Sequence, residues 1–315
     1  MVAACALPTA GFASDVALRV AASGGEIVVT VGPDAPPVPR PALVAWVEDA
    51  ARAVAAVFGR FPVPEAHLDV RTGGRGRIHG GRTDDLVPHV AVALGRATTP
   101  SDLAGDWVLT HEFVHLATPT LSKRHAWFME GAATYVEPIA RVRVGLYSAD
   151  ELWEGFLEGL SQGLPKAGDG GLDVTHSWGR TYWGGALFFF LADLEIRERS
   201  GGRRSLDDAL RGMLEAGGDV RAAWSLEQAL EAGDRAVGGG WNVLSRLHAA
   251  QGTTPVSVDL EALFRRLGVS RAGGHVVYDD AAPLASIRRS LSSSAPRAKA
   301  AARRGTDPRT SRGGG

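Results

Sequence analysis

The chain has 315 residues, 45% hydrophobic and 22% charged, the balance of an ordinary globular protein large enough to bury a core. Its formal net charge of -1 gives no reason to expect a nucleic acid or a membrane surface as partner, and its single cysteine, Cys5, excludes an internal disulfide. No apolar run reaches the roughly 18 residues that a spanning helix needs. Residues 1–11 are small and apolar, and Gly11-Phe12-Ala13-Ser14-Asp15 resembles a signal-peptidase site. Val2-Ala3-Ala4-Cys5 resembles a lipoprotein attachment box, which would place a lipid anchor on Cys5. Residues 1–13 therefore read as the remnant of a leader whose start lies upstream, and the protein as exported to the periplasm or cell envelope. The competing reading is a frayed start on a cytoplasmic protein.

Residues 27–31 (Ile-Val-Val-Thr-Val) are β-branched and bounded by Gly25 and Gly32, so they predict a strand. A proline-rich link follows. Pro41 then opens a helix to residue 58, with Leu43, Val47, Ala50, Val54 and Val57 at helical spacing. Strands are predicted over 67–71 and 87–94, with a Gly- and Arg-rich loop over 72–85 between them. That loop lacks the G-x-G-x-x-G pattern of a dinucleotide site. Helical patterns then cover 102–117, 127–137, 149–161, 181–199, 205–215, 226–232, 240–250 and 259–267. Strands lead and helices follow, which predicts an α+β fold. The end is different. Residues 288–315 carry eight Arg or Lys against one acid, Asp307, in a Ser-, Ala-, Pro- and Gly-rich background, and read as a disordered basic tail.

The helix over 102–117 contains His111-Glu112-Phe113-Val114-His115, an H-E-x-x-H motif. Ser101 offers it a cap, Asp102 suits the positive end of its dipole, and Pro119 ends it. Histidines four apart leave one helix face one turn apart, where two imidazole nitrogens can accept a tetrahedral Zn2+. Glu112 projects beside that face and can reach a water activated by the metal. A third ligand is required. Downstream lies Trp127-Phe128-Met129-Glu130-Gly131-Ala132-Ala133-Thr134-Tyr135-Val136-Glu137, closed by Pro138. Glu130 is the first candidate. Gly131 beside it would let the second helix approach the first, and Trp127 and Phe128 would wall the site. Glu137, seven residues on, is the competing ligand.

W-x-x-E-G-x-A-x-Y-x-E after H-E-x-x-H resembles the gluzincin clan of thermolysin-like zinc metallopeptidases (peptidase MA), closest to the glycyl and alanyl aminopeptidase families. The resemblance implies Glu130 as third zinc ligand. The spacer from His115 is shorter than those families use, and at their usual spacing the position would fall on Thr134, which has no carboxylate. Arg180-Thr181-Tyr182-Trp183-Gly184-Gly185-Ala186-Leu187 is similar to the families' Y-x-K-G-A segment. This implies Tyr182 as donor to the tetrahedral oxyanion, while Gly184 stands where the families have Lys. His176 and Arg180, just upstream, become candidate substrate contacts. The resemblance covers about residues 100–212.

It implies a zincin-like catalytic domain over 14–287. An upper lobe, 14–122, would carry a small mixed sheet and the active-site helix. A mainly helical lower lobe, 123–287, would carry Glu130 and Tyr182. The expected activity is zinc-dependent hydrolysis of a peptide or protein substrate, with Glu112 as general base. Those families hold the substrate amine with a Glu upstream of the helix. Residues 78–85 contain none, though Asp84 and Asp85 are near. Endopeptidase and aminopeptidase activity therefore stay equally open. So do a zinc hydrolase of a non-peptide substrate and a non-catalytic binding protein on the same frame.

Overall fold

The computed structural model describes residues 16–36, 38–74 and 76–293. The leader with Cys5, and the tail from 294 onward, lie outside them.

The β-branched run expected near 27–31 forms β2 (Gly25–Val31), which pairs antiparallel with β1 (Val16–Ala22). The long helix α1 (Arg40–Phe58) crosses to β3 (Glu65–Thr72), which runs parallel to β2. Gly59 stops α1 in the left-handed region at φ 81°, its N–H on the Ala55 carbonyl. β5 (His89–Leu94) lies parallel to β3, and β4 (Ile78–Thr83) pairs antiparallel with β5. The sheet order is β1-β2-β3-β5-β4, so β4 is an edge. Alternation sets the buried face. Ile27 and Val29, then Ala66, Leu68 and Val70, then Val90, Val92 and Leu94 are all buried.

β4 corrects the expected loop over 72–85. Its Ile-His-Gly-Gly-Arg-Thr composition has poor strand propensity, but as an edge it needs only one paired neighbour. The expected helix over 102–117 is also two helices. α2 (Pro100–Ala104) starts from a capping box of Thr99 and Asp102, not from Ser101. After Gly105 the chain restarts as α3 (Val108–His115), whose first N–H groups donate to Asp106.

α4 (Ala126–Arg143) runs through Pro138, where the sequence suggested an end. Tertiary packing on both sides outweighs the one helical hydrogen bond the proline cannot make. Further helices are α5 (Ala149–Gly159), α6 (Gly185–Ser200), α7 (Leu206–Glu215), α8 (Leu226–Val237), α9 (Val243–Gln251) and α10 (Leu260–Leu267). Capping boxes Ser148/Glu151, Ser205/Asp208 and Ser225/Gln228 start α5, α7 and α8. A short hairpin, β6 (Val269–Ala272) and β7 (His275–Tyr278), leads to α11 (Ala285–Leu291). α11 moves the expected tail boundary. Arg288 is buried and donates to the carbonyls of Leu267, Gly268 and Asp279, so order persists past 288.

The fold is α+β, a mixed five-stranded sheet followed by helices. Its buried apolar residues form one continuous cluster, from Leu18 to Leu291. Among the described residues no helix is long and apolar enough to cross a membrane.

Candidate metal centre and active site

α3 fixes the two histidines. Its face bearing Leu109, Phe113 and Val114 is fully buried, and this holds the opposite turn toward the cleft. His111 and His115 stand one turn apart, ring centroids 4.9 Å from each other. Glu130, on the second turn of α4, meets both. Its Oε2 lies 3.3 Å from His111 Nε2 and 3.4 Å from His115 Nε2. One ligand atom from each of the three residues fits within 4.8 Å of the others. Burial alone would raise the Glu130 carboxyl, but hydrogen bonds with His111 and His115 outweigh it and hold the group well below the usual carboxylate range. Two imidazoles and one ionised carboxylate are the donor set of a zinc site with an open position.

Glu137 does not join them. It is buried two turns further along α4 and takes a hydrogen bond of 3.1 Å from Arg141. Gly131 serves a different contact from the one expected. A Cβ there would come within 2.3 Å of the Gly185 backbone, so it lets α4 touch α6, not α3. Trp127 and Phe128 do not wall the site either. Both are buried, Trp127 against Phe188 with its indole N–H on Asp173, and Phe128 against Phe189. They position α4 from behind.

Glu112 is 6% exposed and lies under β4. A Cβ at Gly81 would meet Glu112 Cγ at 2.5 Å, so glycine is what lets the strand pass this close. Two residues on, Thr83 Oγ1 lies 2.8 Å from Glu112 Oε2 and 2.9 Å from the Glu112 carbonyl. Its one hydrogen serves either acceptor. Thr83 was invisible to motif reasoning because the register of β4 over α3 is a tertiary fact.

Tyr182 sits in a π-helical turn, Arg180–Gly184, that feeds α6. Such turns concentrate at functional sites. Its ring stacks 6.3 Å from His111 and 5.7 Å from Trp178. Burial and the nearby Glu130 and Glu112 carboxylates push the phenol up to about 12, so it stays a donor at neutral pH. A cavity of about 220 Å³ gathers His111, Glu112, His115, Glu130 and Tyr182. Asp84 and Asp85 at the end of β4 also line it.

The two proposed substrate contacts sit elsewhere. Arg180 is 4% exposed and gives its guanidinium to the Gly163 carbonyl, because its turn directs it into the helical packing. It is a structural residue. His176 is exposed and lines neither this cavity nor the one beside it. The exposed aromatics near the metal ligands are Trp107 and Trp178. Each precedes a site residue by four positions, a helical spacing that could have flagged them.

No family model matches the sequence, and no curated protein matches it. Solved structures do match. An aminopeptidase N family protein from Idiomarina loihiensis is similar at 15% identity and TM-score 0.61, covering 81% of this chain and 49% of its own. Native yeast LTA4 hydrolase is similar at 13% identity and TM-score 0.52, covering 80% of this chain and 42% of its own. A two-domain M1 zinc metallopeptidase mutant bound to L-arginine gives 15% identity and TM-score 0.50, covering 78% and 54%. The chain thus spans about half the length of the solved structures it matches. Over that part the chain carries the fold of these solved structures, an aminopeptidase N family protein and an M1 zinc metallopeptidase among them.

Proposed function

We propose that the protein is a zinc-dependent metallopeptidase, with the metal held by His111, His115 and Glu130. The observation that carries this is the meeting of Glu130 with both imidazoles in the cavity that also presents Glu112 and Tyr182. Zinc, when bound, supplies Lewis acidity that polarises a carbonyl and acidifies water.

The chain's own groups supply the rest. Glu112 is the general base. Its carboxylate takes the proton of the attacking water and passes it to the leaving amine. Thr83 orients that carboxylate whenever its hydrogen serves Glu112 Oε2. The Tyr182 hydroxyl donates to the oxyanion, an interaction worth about 3–4 kcal/mol where it forms only in the transition state. The open edge of β4 offers backbone partners to an extended peptide. Asp84 and Asp85 at the end of that edge stand where a substrate amine could be met, which leaves endo- and aminopeptidase action both available.

The test is metal analysis followed by chelator-sensitive cleavage of a mixed peptide library, with Glu112→Gln as control. We expect one zinc per chain in both proteins and a loss of at least about a thousandfold in turnover for the variant. Unchanged turnover in Glu112→Gln would sink the mechanism. Zinc without cleavage of any peptide would favour a non-peptide substrate or a binding role.

A further inference from the structure

A second cavity, about 370 Å³, opens beside the metal centre and shares His111 and Tyr182 with it. Its walls are aromatic, made by Trp107, Tyr147, Trp178 and Trp183. Trp107 and Trp178 are 53% and 60% exposed. Two indoles left in water at the mouth of a cavity mark a surface that something covers.

The polar content is one-sided. Glu137, Glu151 and Glu158 line the cavity and, among the described residues, no lysine or arginine does. Hydrogen bonds from Ser148 hold the Glu151 carboxyl below the usual range, so it stays ionised. Glu158 is paired at its outer side with Arg271, 3.2 Å away. Arg141, behind the wall, is committed to Glu137, to the Gly105 carbonyl and to the face of Tyr147. Thr134 Oγ1, also in the lining, is buried without a hydrogen-bond partner.

Aromatic faces and carboxylates attract the same thing, a cation. A long apolar stem that ends in a charge would cover the indoles and bring its head to the acids. An apolar side chain would cover the indoles but take water from the ionised Glu151 carboxylate without bringing it a charge. An acidic one would be repelled. We propose that this cavity takes the arginine or lysine side chain of a substrate residue next to the scissile bond. The inference rests on the peptidase reading for the chemistry of the neighbouring centre.

Binding tests it apart from catalysis. Zinc-loaded Glu112→Gln protein is titrated, by tryptophan fluorescence and calorimetry, with matched short peptides that differ at one residue: arginine, citrulline or glutamate. The arginine peptide should bind about tenfold tighter than its citrulline counterpart, and the glutamate peptide weakest. The added pair Glu151→Gln and Glu158→Gln should erase the arginine advantage and leave citrulline binding in place, which also reports an intact fold. If that protein does not fold, Trp178→Ala, at an exposed ring, replaces it and should cut arginine binding several-fold. Equal binding of arginine and citrulline peptides, or no binding of any, overturns the inference.

A cleavage profile of the wild-type enzyme separates the two claims. Enrichment of lysine and arginine at one position beside the cut supports the pocket. Cleavage with no such enrichment overturns the pocket and keeps the peptidase. Selective arginine binding without cleavage of any peptide keeps the pocket and overturns the peptidase.

Discussion

Thr83 is a positioning residue that acts through Glu112. A general base that must face first water and then a leaving amine needs its carboxylate held, and one hydroxyl does this from β4. Thr83→Val keeps the shape and removes the donor. A hydrogen bond to a charged group contributes about 1.5–3 kcal/mol, so kcat should fall by about tenfold or more, with KM nearly unchanged and zinc retained. Thr83→Ser should recover most of the rate. Full kcat in the valine variant would show that the hydroxyl is incidental. Some of this scale was readable in the sequence. His111, Glu112 and His115 announce themselves by helical spacing, and Glu130 by its local context. Thr83 and Gly81 act through contacts between distant segments, which no local pattern encodes.

Elements place those residues, and here glycine decides. α4 and α6 approach until Gly131 and Gly185 touch, with a Cβ at 131 falling 2.3 Å from the partner backbone. Since Glu130 is the preceding residue, this contact also sets where the carboxylate stands. Gly131→Ala must push the helices apart. Overpacking of this kind costs about 1–3 kcal/mol, so Tm should drop by several degrees. The same shift should draw Glu130 away from the imidazoles and weaken zinc binding by about tenfold or more, as judged by competition with a chromogenic chelator. Normal zinc affinity in a destabilised Gly131→Ala protein would show that the contact packs α4 without placing its carboxylate. Helices with capping boxes, such as α5, α7 and α8, were legible in the sequence to within a few residues at their starts. β4 and the break between α2 and α3 were not. A strand of Gly, His and Arg is made by its neighbour β5, and the break follows from Asp106, which caps α3 while its Oδ2 accepts from the Trp46 indole of α1.

At the scale of the molecule, α3 and α4 hold the ligands from two separate elements, so zinc should cross-link the fold. Metal that binds only the folded chain adds about 2.7 kcal/mol at a free concentration a hundredfold above Kd. Chelation should lower Tm, and Glu130→Ala should lose most of that response. A Tm indifferent to chelator would argue against a site preformed in the fold. Glu137 imposes a second, pH-dependent effect. Burial pushes its carboxyl up to about 7 despite the Arg141 guanidinium beside it. Its ordinary value is 4.5. Between those values the folded chain keeps a proton that the unfolded chain has released. The contribution is therefore complete below about 4.5 and declines as pH rises toward 7 and beyond. Glu137→Gln carries no such proton. Urea unfolding of both proteins from pH 5 to pH 8 isolates the effect from other titrating groups. The wild type should lose stability relative to the glutamine variant as pH rises, whatever their offset at pH 5. A difference that stays constant across the range, or grows in favour of the wild type, would mean that Glu137 is already ionised at pH 5 and that Arg141 fully offsets its burial.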